Sequence, residues 1–155
     1  LPQQRSVFNM SVYDNILGVA QISIKGIDKQ KEITEKLLDE FNLQHLRSLN
    51  ANVLSGGELR RLMMARVMIN DPKVVLLDEP YAALDPLIIQ DISKYILSIQ
   101  AKKTSIIVSD HNVKNLFDIV DRAYVLGSQG VIAEGTPREL LKSSKAVESY
   151  FGSNF

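Results

Sequence analysis

Cysteine is absent from this 155-residue sequence. That excludes a disulfide framework, a thiolate metal site and a cysteine nucleophile, and it fits a reducing compartment. Net charge is also absent: 18 basic residues balance 18 acidic ones. The chain therefore lacks the basic excess that marks a nucleic-acid binder, and no nucleic-acid partner is expected. No apolar run approaches the roughly 20 residues needed to span a bilayer, and no signal-peptide pattern opens the chain. Repeats and low-complexity tracts are missing too. What is present is a 45% apolar composition, enough for one substantial core or for a core with a small satellite subdomain. The chain starts at Leu1 and its first residues read as the end of a strand, so it is expected to be part of a longer one.

Two regions differ in periodicity. From Ser11 to about Asn70 the pattern is helical. Ser11 is placed to cap a helix carrying Val12, Ile16, Leu17 and Ala20. Asp28 is placed to cap a second, with Ile33, Leu37, Leu38 and Phe41 on one face. A third follows Ser55, with Leu59, Leu62, Met63 and Val67 as its buried stripe, and Asn70-Asp71-Pro72 ends it. From Val74 onward, β-branched runs alternate with helices. The strand VVLL (74–77) leads to a helix from about Pro86 to Gln100, then the strand SIIV (105–108) and a short helix from Asn112. That alternation predicts parallel βαβ units. AYVL (123–126) and VIAE (131–134), joined across GSQG, predict an antiparallel hairpin at a sheet edge, and Thr136-Pro137 starts a last helix. His45, between leucines near a helix end, reads as structural.

The chemistry lies where strands end and helices begin. Asp78 and Glu79 follow VVLL directly, at the carboxyl edge where open α/β sheets hold ligands. An aspartate there can hold a Mg²⁺ shell, and a glutamate can orient or deprotonate a water attacking a phosphoryl group. The same pair alone equally describes an acidic turn. Asp85 before Pro86 is a good N-cap by itself. Asp110 and His111 close the strand 105–108 at the same edge as Asp78 and Glu79. In LSGGE, Ser55 and Glu58 are spaced as a capping box. The box does not explain Gly56 and Gly57, whose bare amides at a helix start suggest a phosphate resting on the backbone.

Taken in order, PQQ near a strand end, LSGGE, a hydrophobic strand with DEP, ALD, and a strand ending SDH resemble the C-terminal half or more of an ATP-binding-cassette (ABC) ATPase, over essentially the whole chain. The resemblance implies an α/β fold: a partial P-loop NTPase (RecA-like) parallel-sheet core with an α-helical signature subdomain, the N-terminal P-loop strand and antiparallel β-subdomain being absent. It divides the chain into residues 1–71, with the Q-loop and signature subdomain, and 72–155, with the core portion. It implies ATP and Mg²⁺ as ligands. Gln3 becomes the Q-loop glutamine near Mg²⁺ and the attacking water. Ser55, Gly56, Gly57 and Glu58 become the signature motif, meeting an ATP bound by a partner subunit. Asp78 becomes the Mg²⁺-shell residue, Glu79 the catalytic carboxylate, Asp85 part of the D-loop and His111 the switch histidine at the γ-phosphate.

Within the family, SVYDNI, EFNLQHLRSL, SDHNV and the ending YFGSNF look like the ATPases of bacterial lipopolysaccharide export; the importer ATPases for branched-chain amino acids are the alternative. The resemblance implies a homodimer of nucleotide-binding subunits, peripheral on the cytoplasmic side of the inner membrane and bound to permease subunits through their coupling helices. Leu59 stands where the exporters carry the first arginine of SGGE-R-R-R, a departure expected to touch only a surface contact. No G-x-x-x-x-G-K-[ST] loop occurs in the sequence, and that loop cradles the β- and γ-phosphates. The 155 residues alone are therefore expected to be inactive, able at most to contact a permease or a partner's nucleotide.

Overall fold

Ser11 opens the first helix as its spacing requires. Its hydroxyl accepts the amide of Asp14 at 3.0 Å, and α1 runs Val12–Ser23. The computed structural model describes residues 7–128, 130–143 and 146–147, in two units, residues 1–111 and 112–155. Gln3 and the YFGSNF ending lie outside the described residues. The division expected between residues 71 and 72 falls inside the first unit.

In that first unit, α1 buries Val12, Ile16 and Ala20 together with Asn15, while Leu17 is half-buried. Burying an asparagine would be costly were it unpaired. Here Asn15 accepts the Phe8 amide and donates to the carbonyls of Phe8, Met10 and Ser11. The segment before the helix is thereby wired to it.

The second helix, α2 (Ile27–Glu40), is capped by Gly26 and not by Asp28. Gly26 sits at φ +96°, a turn that a side chain at that position would strain. Asp28 falls in the first turn, where its charge still favours the helix dipole. Leu37, Leu38 and Phe41 are buried, but Ile33 is only half-buried and Thr34 takes its place inside, donating its hydroxyl to the Gln30 carbonyl. Two 3-10 turns, Gln44–Leu46 and Ala51–Val53, carry the chain to α3 (Gly56–Met68). This helix packs on α1, on α2 and on the helix that follows it. Its burial is accordingly wider than one stripe: Met64, Ala65 and Met68 join Leu59, Leu62 and Met63, while Val67 is only half-buried.

A βαβ unit completes residues 1–111. Strands β1 (Val74–Asp78) and β2 (Ser105–Ser109) pair in parallel, from Val74 opposite Ser105 to Asp78 opposite Ser109, with α4 (Pro86–Ala101) between them in sequence. The helix buries Ile89, Ile92, Ile96 and Ile99. The continuous apolar run of β1 reads as a buried strand, yet Val75 and Leu77 are buried while Val74 and Leu76 are exposed. Parallel sheets are ordinarily covered on both faces. Among the described residues this one has a cover on one face only, and Ile107 of β2 is exposed as well. A Lys102–Glu40 ion pair joins the end of α4 to the end of α2.

The second unit begins with α5 (Val113–Phe117), capped by Asn112. Strands β3 (Ala123–Gly127) and β4 (Gly130–Gly135) form an antiparallel hairpin with a bulge between Val125 and Leu126. Among the described residues the hairpin forms a two-stranded sheet of its own, where a sheet edge was expected. Thr136 and Glu139 make a capping box on α6 (Pro137–Leu140), and Val125, Leu140 and Ala146 form a small core. Among the described residues, no helix is long and apolar enough to cross a membrane.

Candidate functional site

The expected site residues fall into two groups. The first is the start of α3. The Ser55 hydroxyl accepts the Glu58 amide, and the Glu58 carboxylate takes the Ser55 amide at 2.8 Å and the Ser55 hydroxyl at 2.7 Å. The hydroxyl bond, and after it the amide bond, hold the Glu58 carboxyl below its usual pKa. His45, exposed in its 3-10 turn and not enclosed by the core, adds a small pull in the same direction.

The two glycines behave differently. A Cβ on Gly57 would lie 2.6 Å from Ile88 Cγ2, so this buried glycine is required by close packing of α3 on α4. A Cβ on Gly56 would meet only the tip of Leu84 at 3.0 Å, and Gly56 is exposed. Its amide belongs to the first turn, where no intrahelical acceptor exists. The backbone-approach argument therefore rests on Gly56, and packing accounts for Gly57. Asp85 caps α4 next to this turn, accepting the amides of Leu87 and Ile88 at 3.1 Å each.

The second group gathers at the carboxyl ends of β1 and β2. Asp78 is exposed, and one of its oxygens accepts the Ser109 hydroxyl at 2.7 Å. Glu79 leaves the strand at φ +44°, a left-handed conformation that is uncommon for a non-glycine residue and costs on the order of 1–3 kcal/mol. Its surroundings hold it there. Its amide donates to the Ser109 carbonyl at 2.7 Å, and its carbonyl accepts the amide of Ala82 at 3.2 Å and the guanidinium of Arg60 at 3.3 Å. Asp110, whose side chain is fully buried, takes the Tyr81 amide at 3.0 Å. Tyr81 is buried in turn and pairs its hydroxyl with Ser93 of α4. The exposed His111 places Nδ1 3.9 Å from a Glu79 oxygen and 3.7 Å from an Asp110 oxygen. Both separations are too long for hydrogen bonds, yet within ion-pair range of a protonated ring.

A Mg²⁺ ion that arrives with a nucleotide needs only one or two protein carboxylates, because phosphate and water oxygens complete its shell. Asp78, exposed and braced through one oxygen, fits that need. Among the described residues no cluster of three or more metal-ligating side chains occurs.

Sequence reasoning missed Arg60, and it set Leu59 correctly in the buried stripe of α3 while reading its departure from the arginine run as a surface matter. Leu59 is buried, so the departure from an arginine run touches the core and not a surface contact. Arg60 is only 8% exposed. It lies one turn from Gly57 and one turn from Met64, on a face that is otherwise apolar. An arginine at that helical spacing was the available signal. Burial lowers its pKa, and the carboxylates of Asp110 and then Glu79 partly offset this.

Carboxylates and a histidine thus stand at the ends of the two strands of a parallel βαβ unit, and a capped glycine turn opens α3. The family description "ABC transporter" matches residues 1–82, and the chain belongs to that family. The lipopolysaccharide export system ATP-binding protein LptB of Haemophilus influenzae is 37% identical over the whole chain. The chain spans 65% of that relative's length. Among solved structures, the ADP conformation of MJ1267, an ATP-binding cassette of an ABC transporter, is 29% identical with a TM-score of 0.79, covering 99% of this chain and 66% of that one. CbiO1 from Clostridium perfringens, part of the cbiONQ ABC transporter complex, is 26% identical with a TM-score of 0.82, covering 92% and 57%. The mixed α/β fold is that of the ATP-binding cassettes.

Proposed function

We propose that this chain supplies the signature, Walker B and switch parts of an ATP-hydrolysing subunit of an ABC transporter, one that powers lipopolysaccharide export. Convergence of Glu79 and His111 at the ends of two parallel strands, 3.9 Å apart, is the observation that carries the hydrolytic part. Similarity to LptB carries the substrate.

The geometry suits in-line attack on a terminal phosphoryl group. Glu79 orients a water and draws its proton as the oxygen–phosphorus bond forms, while the bond to the bridging oxygen of ADP breaks. His111, exposed and adjacent, donates to an oxygen of the leaving or transferred phosphate. Asp78 would hold the metal. Bound with the nucleotide, Mg²⁺ would neutralise charge on the β- and γ-phosphate oxygens.

Ser55 and Gly56 would offer their hydroxyl and amide to the phosphate held by a partner subunit, aided by the helix dipole, with Gly57 and Glu58 shaping the turn and Asp85 bordering it. In this reading residues 1–71 carry the permease-facing helical region and 72–155 the hydrolytic edge. The assembly is a dimer of such subunits, peripheral on the cytoplasmic face of the inner membrane, in contact with coupling helices.

The first test is Glu79→Gln in the full-length protein. ATP binding should persist while turnover falls about 10²-fold or more. Near-normal phosphate release by that variant would remove Glu79 from the chemistry.

A further inference from the structure

The proposed reading assigns the two ends of the site to different nucleotides. Ser55 and Gly56 meet the partner's ATP; Glu79 acts on the subunit's own. One side chain joins them within a single chain. Arg60 rises from α3 one turn beyond Gly57, is 8% exposed, and donates from Nη2 to the Glu79 carbonyl at 3.3 Å. The carbonyl it holds belongs to the residue at φ +44°. Such a conformation persists only where the surroundings over-determine it. Asp110, its side chain fully buried, supplies negative charge beside the guanidinium and fixes the next turn through the Tyr81 amide at 3.0 Å.

We propose that Arg60 is a positioning residue that couples the two composite ATP sites, transmitting displacement of the Ser55–Gly57 turn to the backbone of Glu79. The inference rests on the function proposed above. Helix α3 is continuous from Gly56 to Met68, so a turn drawn toward a partner's phosphate carries Arg60 with it, the two being roughly 4.5 Å apart along the axis at 1.5 Å per residue. The hydrogen bond to the Glu79 carbonyl is charge-assisted and comes from a planar, rigid donor, so that shift reorients the peptide bearing the catalytic carboxylate. Arg60 itself touches neither water nor phosphate in this scheme. It acts on the rate through Glu79.

The chemistry predicts how its replacements behave. Arg60→Lys keeps a cation beside Asp110 but loses the planar fork. Arg60→Met keeps the length and loses the charge, leaving Asp110 buried without that neighbour. The lysine variant is therefore the one expected to fold with little loss, and it is the main probe.

The experiment measures ATP affinity, kcat, KM and the thermal unfolding midpoint for the full-length protein carrying Arg60→Lys, Glu79→Gln or both. Arg60→Lys should lower kcat by about tenfold, the scale of a small misplacement of a reacting group, with ATP affinity and unfolding midpoint nearly unchanged. On the Glu79→Gln background it should change the residual rate by less than about twofold, because residues that act as a unit are not additive. An unchanged kcat for Arg60→Lys would overturn the proposal. So would a full tenfold loss added to that of Glu79→Gln, or a loss matched by a falling unfolding midpoint. If Glu79→Gln alone left turnover intact, the proposed function itself would fail, an outcome separate from any result at Arg60.

Discussion

Gly56 and Gly57 look equivalent in sequence and are not equivalent in the fold. One is held by packing and the other faces outward. Gly57→Ala should destabilise the protein by about 1–3 kcal/mol, the usual cost of overpacking, because its Cβ would lie 2.6 Å from Ile88 Cγ2. Denaturant unfolding checks this, and the same substitution on an Ile88→Ala background should cost less; equal costs on both backgrounds would mean that Ile88 is not the obstacle. Glu58 offers a second test at this scale. Its folded pKa is depressed by the Ser55 hydroxyl and then by the Ser55 amide, so its ionised form adds stability above the unfolded value, roughly 4.3, and that stability is lost as pH falls through the lower folded value. The gap in unfolding free energy between the native protein and Glu58→Gln should therefore be constant above about pH 5 and close in acid. A gap that persists unchanged in acid would show that ionisation does not hold the cap. The Ser55-x-x-Glu58 cap was legible because it is a local hydrogen-bond pattern. Gly26 was not, since Asp28 offers an equally good cap two residues on and only the turn out of α1 decides between them.

At the scale of elements, the segment before α1 is wired to its surroundings by side chains and backbone alike. Phe8 exchanges two hydrogen bonds with Asn15, Met10 accepts the Ala51 amide, and the Asn9 side chain accepts from both Asn50 and Asn52. The Phe8 ring lies under the Arg66 guanidinium at 4.9 Å, yet is 48% exposed. Held in place and open to solvent, it suits a surface that receives a permease coupling helix. Phe8→Glu should therefore weaken association with permease subunits, measured by pull-down or calorimetry, more than it weakens ATP binding; the reverse order would make Phe8 internal packing. Helix positions were readable because the 3.6-residue period and the caps agree. Which strand faces are covered was not readable from β1, because Val74-Val75-Leu76-Leu77 is apolar throughout and the cover comes from other elements. The span of α3's buried surface was hidden for the same reason: a helix packed against three others buries more than its amphipathic stripe, and that includes Arg60.

For the whole molecule, the order of motifs along the chain exposed the family; the fold places DE and SDH at one strand edge, LSGGE at the start of α3 and ALD at the start of α4, while PQQ lies outside the described residues. The composite nature of the site is the central claim, and Gly56 tests it without touching the core. The decisive measurement is the oligomeric state of full-length protein carrying Glu79→Gln, by sedimentation velocity with and without Mg-ATP, beside the same protein with Gly56→Asp added. The added carboxylate should repel a phosphate while meeting only the tip of Leu84, 3.0 Å from the new Cβ. The account predicts monomers without nucleotide, dimers with Mg-ATP, and ATP-bound monomers once Gly56→Asp is present. Dimers that form equally well with Gly56→Asp, or a Glu79→Gln protein that binds ATP and stays monomeric, would contradict it.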